Sequence, residues 1–146
     1  MPAVSTTAPP PTTTSPEPPS ATAAGDAVSI LNEYRIAAGL PTLTEDPALV
    51  EAARTHSLDQ AAMQTMTHTG SDGSNAGDRV AMAGFPASIW GENVAAGYGS
   101  TSAVMDGWMG SRGHRENILE GSFTAVGVAS ARSGDGTLYW TMVLAG

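Results

Sequence analysis

Apolar residues return at helical spacing soon after the start of the foldable part of the chain. Behind Asp26, whose carboxylate predicts an N-cap, come Ala27, Ile30, Leu31, Tyr34 and Ala38, with Asn32, Glu33 and Arg35 left for solvent. Gly39 and Pro41 stop this first helix. Asp46-Pro47 opens a second, pairing an N-cap acid with proline at the first helical position. It runs through Ala52, Ala53, Leu58, Ala61, Ala62 and Met63, and stops before Thr65–Thr69. Residues 68–78, HTGSDGSNAGD, read as turns without a regular element, and a short helix follows over Arg79–Phe85, ended by Gly84 and Pro86. Trp90 reads as a buried aromatic ahead of the apolar run Val94-Ala95-Ala96. Ser100 or Thr101 caps a third main helix carrying Val104, Met105, Trp108 and Met109, which Gly107 and Gly110 make dependent on packing. Ser111 caps a further turn or two holding His114, Asn117, Ile118 and Leu119.

The period then changes from helical to alternating. Phe123–Ala131 is rich in valine and small residues, Ser133–Gly136 is a turn, and Thr137–Leu144 alternates. Leu138, Trp140, Met142 and Leu144 share one face, and Thr137, Tyr139, Thr141 and Val143 the other. Helices first and a terminal hairpin last predict an α+β domain whose helices cover an antiparallel sheet.

Composition divides the chain in two. Residues 1–25 hold seven of its ten prolines with six threonines, five alanines and three serines, so they read as a disordered Pro/Thr/Ala-rich linker. Extended at about 3.1 Å per residue, such a spacer reaches roughly 75 Å. Residues 26–146 form the single domain. A net charge of −8 with no lysine argues against nucleic acid or anionic membrane as a partner. No apolar run approaches the ~18 residues of a membrane span. A linker directly after Met1, with no basic and apolar leader before it, points to a leader already removed. With no cysteine, disulfides and thiolate metal sites are excluded.

Three histidines and one acid carry the candidate chemistry. His56 lies mid-helix and reads as a structural histidine. His68 and His114 stand at helix boundaries, where loops present site residues. Glu92, between Gly91 and Asn93 at the edge of an apolar run, must be paired or hydrogen-bonded. Two imidazoles and a carboxylate are a donor set for a divalent metal, but spacings of 24 and 22 residues leave their convergence to the tertiary structure. The common signatures of serine and cysteine hydrolases, zinc proteases and phosphate-binding loops are missing.

Several blocks occur together: Met66-Thr-His68-Thr-Gly, Asp78-Arg79, Ala83-Gly-Phe-Pro, Gly91-Glu-Asn-Val-Ala, and Trp108-Met-Gly-Ser-Arg-Gly-His-Arg-Glu-Asn-Ile-Leu119. In this order they resemble the CAP superfamily, the SCP-like group of cysteine-rich secretory, antigen 5 and pathogenesis-related 1 proteins, in its bacterial secreted branch. The resemblance covers residues 26–146. It implies a three-layer α-β-α sandwich with a central antiparallel sheet, and a shallow cavity lined by His68, Glu92, Ser111 and His114. It also implies that His68 and His114 can hold a divalent cation such as Zn2+. Where eukaryotic members carry a second cavity glutamate this chain has Ser111, and Asp106 is a poorer substitute, which weakens a hydrolytic role.

The expectation is therefore a secreted, extracellular or surface-tethered bacterial domain, monomeric, binding a lipid, glycan or protein, with or without a metal. The alternatives are a metal-assisted hydrolase in which Glu92 is catalytic beside His68 and His114, and a purely structural extracellular domain.

Overall fold

A computed structural model describes the backbone of residues 19–146 and the side chains from Asp26 onward. The elements are α1 (Pro19–Ala37), β1 (Thr44–Glu45), α2 (Pro47–Met63), α3 (Ala76–Met82), β2 (Trp90–Ala96), α4 (Thr101–Met109), α5 (Arg112–Ile118), β3 (Ala125–Arg132) and β4 (Leu138–Ala145). The linker expected over residues 1–25 falls mostly on residues 1–18, outside the described residues. The first helix starts at Pro19, so Asp26 lies within it and does not cap it. The other caps follow the sequence: Asp46 accepts from the Ala48 N–H at 2.8 Å with Pro47 behind it, and Ser100 caps α4. Ser111 occupies the N-cap position of α5 but makes no capping bond with its side chain.

The four strands run in the order β1-β3-β4-β2. β2, β4 and β3 pair antiparallel, while the two-residue β1 adds a parallel edge beside β3. The alternation read along β4 is the alternation of the two sheet faces, and both are covered. Trp140, Met142 and Leu144 join Val126 and Val128 under Leu31 of α1, Val104, Met105 and Trp108 of α4 and Ile118 of α5. Val143 and Ala145 join Ala125 and Ala129 under Leu49, Ala52 and Ala53 of α2 and Val80 of α3. The result is the expected α-β-α sandwich. Gly127 sets the spacing of the second interface: a Cβ there would collide with the backbone of Leu49 and Val50 at the start of α2.

Two expectations are corrected by packing. The turn-rich stretch 68–78 does contain the start of a helix, because Asn75 and Asp78 form a reciprocal capping box: the Asn75 side chain accepts from Asp78 N–H at 2.8 Å, and Asp78 from Asn75 N–H at 3.0 Å. Arg35, read as a solvent residue, is fully buried. Its guanidinium donates to the carbonyls of Pro41 (2.9 Å), Ile118 (2.8 Å) and Glu120 (2.9 Å). A planar fork of donors collects carbonyls from the loop after α1 and from the end of α5, where the helix dipole favours a cation.

β2 is an edge strand, and edges need protection against stray pairing. Here side chains supply it: the Trp108 indole donates to Val94 O at 3.1 Å and the Asn117 amide to Glu92 O at 3.4 Å.

Candidate functional site

The site forms around that edge because neighbouring residues of β2 point to opposite faces. Glu92 lies opposite Val143 on the α2/α3 side, and Asn93 opposite Met142 on the α4/α5 side. Glu92 is 2% exposed, and both its oxygens are taken. Oε1 accepts from His68 Nδ1 at 2.9 Å, and Oε2 from Arg79 Nη2 of α3 at 2.7 Å. Because a carboxylate only accepts, His68 must carry its proton on Nδ1, which leaves Nε2 for solvent or ligand. The His68 side chain is 61% exposed, so a buried acid orients an accessible imidazole.

His68 is held from behind as well. His56 and Gln60 of α2, both fully buried, grip the peptide of Thr67: His56 Nε2 lies 2.6 Å from Thr67 O, and Gln60 Oε1 accepts the Thr67 N–H at 3.0 Å. Gln60 in turn donates to Thr141 Oγ1 of β4 at 3.1 Å. His56 is therefore the structural histidine expected, and its task is to fix the residue before His68. Arg79 adds a further restraint by donating to His68 O at 3.0 Å.

On the other side of β2, Asn93 donates to the backbone carbonyl of His114 at 3.1 Å, and Asn117 donates to Asn93 Oδ1 at 2.9 Å. These amides dock α5, and with it His114, against the strand. His114 Nδ1 is buried without a hydrogen-bond partner among the described residues.

The histidines titrate in opposite directions. The hydrogen bond to Glu92 raises His68, outweighing desolvation. Burial lowers His114, and the charge of His68 lowers it further, which puts the two rings within electrostatic reach. Burial also lowers His56. The site thus pairs a ring that holds its proton more readily than a free imidazole with one that holds it less readily.

The structure thus brings together His68 and Glu92 with His114 close by. Ser111 shares no hydrogen bond with these three among the described residues, and Asp106 faces α1, where it accepts from Tyr34 Oη at 3.5 Å. No group of three or more His, Cys, Asp or Glu side chains among the described residues is gathered for a metal ion. The functional residue missed by sequence reasoning is Arg79. Its signal was indirect: a buried carboxylate in a chain without lysine needs one of six arginines. Trp90, expected to be buried, is 46% exposed beside the site.

The profile of the cysteine-rich secretory protein family, CAP, matches residues 28–144. The chain belongs to the CAP family. Bacterial proteins are among those it is similar to. It is 33% identical over 119 residues to the uncharacterized protein YkwD of Bacillus subtilis (strain 168), covering 82% of this chain and 45% of that protein. An extracellular SCP-domain protein from Bacillus anthracis str. Ames superposes with a TM-score of 0.79 at 26% identity, covering 90% of this chain and 45% of the other. An outer surface protein of Borrelia burgdorferi shares the fold, with a TM-score of 0.76 at 20% identity over 83% of this chain and 90% of the other. The CAP chain thus spans under half the length of the curated relative YkwD. None of its described helices is long and apolar enough to cross a membrane.

Proposed function

We propose that this CAP domain is an extracellular ligand-binding module of a secreted or surface-tethered bacterial protein, with His68, Glu92 and His114 at its binding recess. The observation that carries this reading is the complete engagement of Glu92. One oxygen fixes His68, the other pairs with Arg79, and the side chain is 2% exposed, so the carboxylate orients an exposed imidazole while being itself closed off from the solvent water it would have to deprotonate. That is the construction of a recognition surface more than of a general base. The ligand class is an extracellular lipid, glycan or protein. Relatives described as extracellular or outer-surface proteins support the location, and the composition of residues 1–25 suits a spacer.

Two imidazoles also suit a divalent cation such as zinc. His68 would offer Nε2, since Nδ1 is committed to Glu92, and His114 would offer a ring that burial keeps neutral. Bound zinc would supply a Lewis-acidic point of attachment for a ligand oxygen. With two protein ligands the donor set fits a loosely held ion, not the three-ligand pattern of catalytic zinc.

Calorimetric titration with neutral phospholipid vesicles, a sterol and cell-wall glycan fragments tests the binding reading. Saturable binding to at least one, weakened about tenfold or more by His68→Ala, is expected; no saturable interaction across the panel overturns it. Excess zinc should raise the Tm of the wild type but not of a His68→Ala/His114→Ala variant. No shift in the wild type removes the cation.

A further inference from the structure

The recess has a neighbour on its own strand face. Trp90 stands two residues before Glu92 in β2, so both side chains leave the sheet on the α2/α3 side, about 6.6 Å apart along the strand. The pairing register agrees, with Trp90 opposite Ala145 and Glu92 opposite Val143, both in the core beneath α2 and α3. α3 touches both residues: Arg79 reaches Glu92, and Gly77 lies against the indole. A Cβ at Gly77 would sit 2.7 Å from Trp90 Cε2 and closer still to Nε1, so the missing side chain is what lets the ring lie against the helix.

The indole is nevertheless not core. Trp108 and Trp140 are 2% and 3% exposed, and each donates its N–H to a carbonyl, of Val94 (3.1 Å) and Tyr98 (2.9 Å) respectively. Trp90 stays 46% exposed, two strand positions from Glu92, which holds the exposed imidazole of His68. A large apolar plane is thus anchored along one side and left open on the other, on the strand face that also carries Glu92.

We propose that Trp90 is the stacking platform of the recess and that its occupant is a neutral glycan, a chain of pyranose rings with equatorial hydroxyls. Such a ring has apolar C–H faces and a polar rim, so one ring can lie on the indole while its hydroxyls turn to His68. The surroundings disfavour other chemistries. On the Glu92 side of Trp90 the group open to solvent is the His68 imidazole, 61% exposed and hydrogen-bonded to that acid, which offers a hydroxyl a partner and an acyl chain none. An anionic polymer meets a chain of net charge −8 without lysine, whose nearby guanidinium is already paired with Glu92. The inference rests on the binding-module reading above and narrows its ligand.

Because the other two tryptophans are buried, acrylamide quenching of intrinsic fluorescence reports on Trp90. Titration with cellotetraose and with chitotetraose should shift the emission saturably and protect it from quenching. Trp90→Ala should weaken binding at least tenfold with an unchanged circular dichroism spectrum, and Trp90→Phe should retain part of the affinity. If His68→Ala abolishes tetrasaccharide binding while Trp90→Ala leaves it intact, the recess stands and the platform falls. If neither tetrasaccharide binds but vesicles or sterol do, the glycan assignment is overturned and the binding module survives. If Trp90→Ala instead abolishes self-association seen by sedimentation, the indole is a protein contact and the proposal is overturned.

Discussion

Replacing Arg79 with leucine isolates the buried ion pair with Glu92 that stands behind His68. Arg79 is 6% exposed and Glu92 2%, so the pair is out of water on both sides. The substitution removes the 2.7 Å bond to Glu92, the 3.0 Å bond to His68 O and the 2.9 Å bond to Ser74 O, while leucine refills part of the volume. Removing one partner of a buried pair costs about 3–5 kcal/mol, because the remaining charge stays buried without compensation. His68 still contacts Glu92 and can hold its proton more tightly, which places the expected loss near the lower end, about 3 kcal/mol. For a domain of this size that lowers Tm by on the order of 10 °C. Urea unfolding at pH 7, followed by circular dichroism, gives the free energy, and an unchanged m-value shows that the same surface is exposed on unfolding. The double variant Arg79→Leu/Glu92→Leu removes both charges and should recover at least half of the loss. A single variant that loses under about 1 kcal/mol, or a double variant less stable than the single one, refutes the argument.

Two further outcomes follow from the packing. Burial lowers His56 in the folded state, so its contribution is complete above the unfolded value of about 6.5 and is lost as pH falls through the lowered folded value. His68, raised by Glu92, acts in the opposite sense: its contribution is complete below about 6.5 and fades as pH rises through the raised folded value. His56→Gln should therefore be less stable than the wild type at pH 7 yet lose less stability between pH 6.5 and pH 5; an equal acid loss would show that His56 is not the sensitive group. Gly127→Ala drives a methyl into the Leu49–Val50 backbone, and overpacking of this kind costs about 1–3 kcal/mol or more. A Tm within about 2 °C of wild type, less than the shift expected from 1 kcal/mol in a domain of this size, would show that α2 can move off the sheet freely.

Most of the framework was legible because it depends on local rules. Asp46-Pro47 predicts the start of α2, and alternation along Thr137–Leu144 predicts the two faces of β4. The blocks around His68, Glu92 and His114 marked the residues that meet or nearly meet at the edge of β2. Misreadings arose where a long-range partner reversed a local preference. Arg35 looked like a surface charge because its three carbonyl acceptors come from Pro41, Ile118 and Glu120, two of them more than 80 positions away. Trp90 looked like core because tryptophan usually is; the edge position of β2 leaves it on the surface, and the glycine at position 77 lets one side of the ring rest against α3.

By itself, then, the sequence determined the main helices and the terminal hairpin, the apolar faces of both, and which few side chains are able to do chemistry, since these follow from spacing, caps and residue type. The tertiary structure alone decided how the block around Glu92 is held. Strand pairing placed Glu92 and Asn93 on opposite faces of one edge, and α3 delivered Arg79 to the second carboxylate oxygen. Sequence offers a lone carboxylate with a histidine among its candidate neighbours; the fold binds that carboxylate to an imidazole through one oxygen and to a guanidinium through the other. That difference is a matter of distances between residues remote in the chain, which no local pattern encodes.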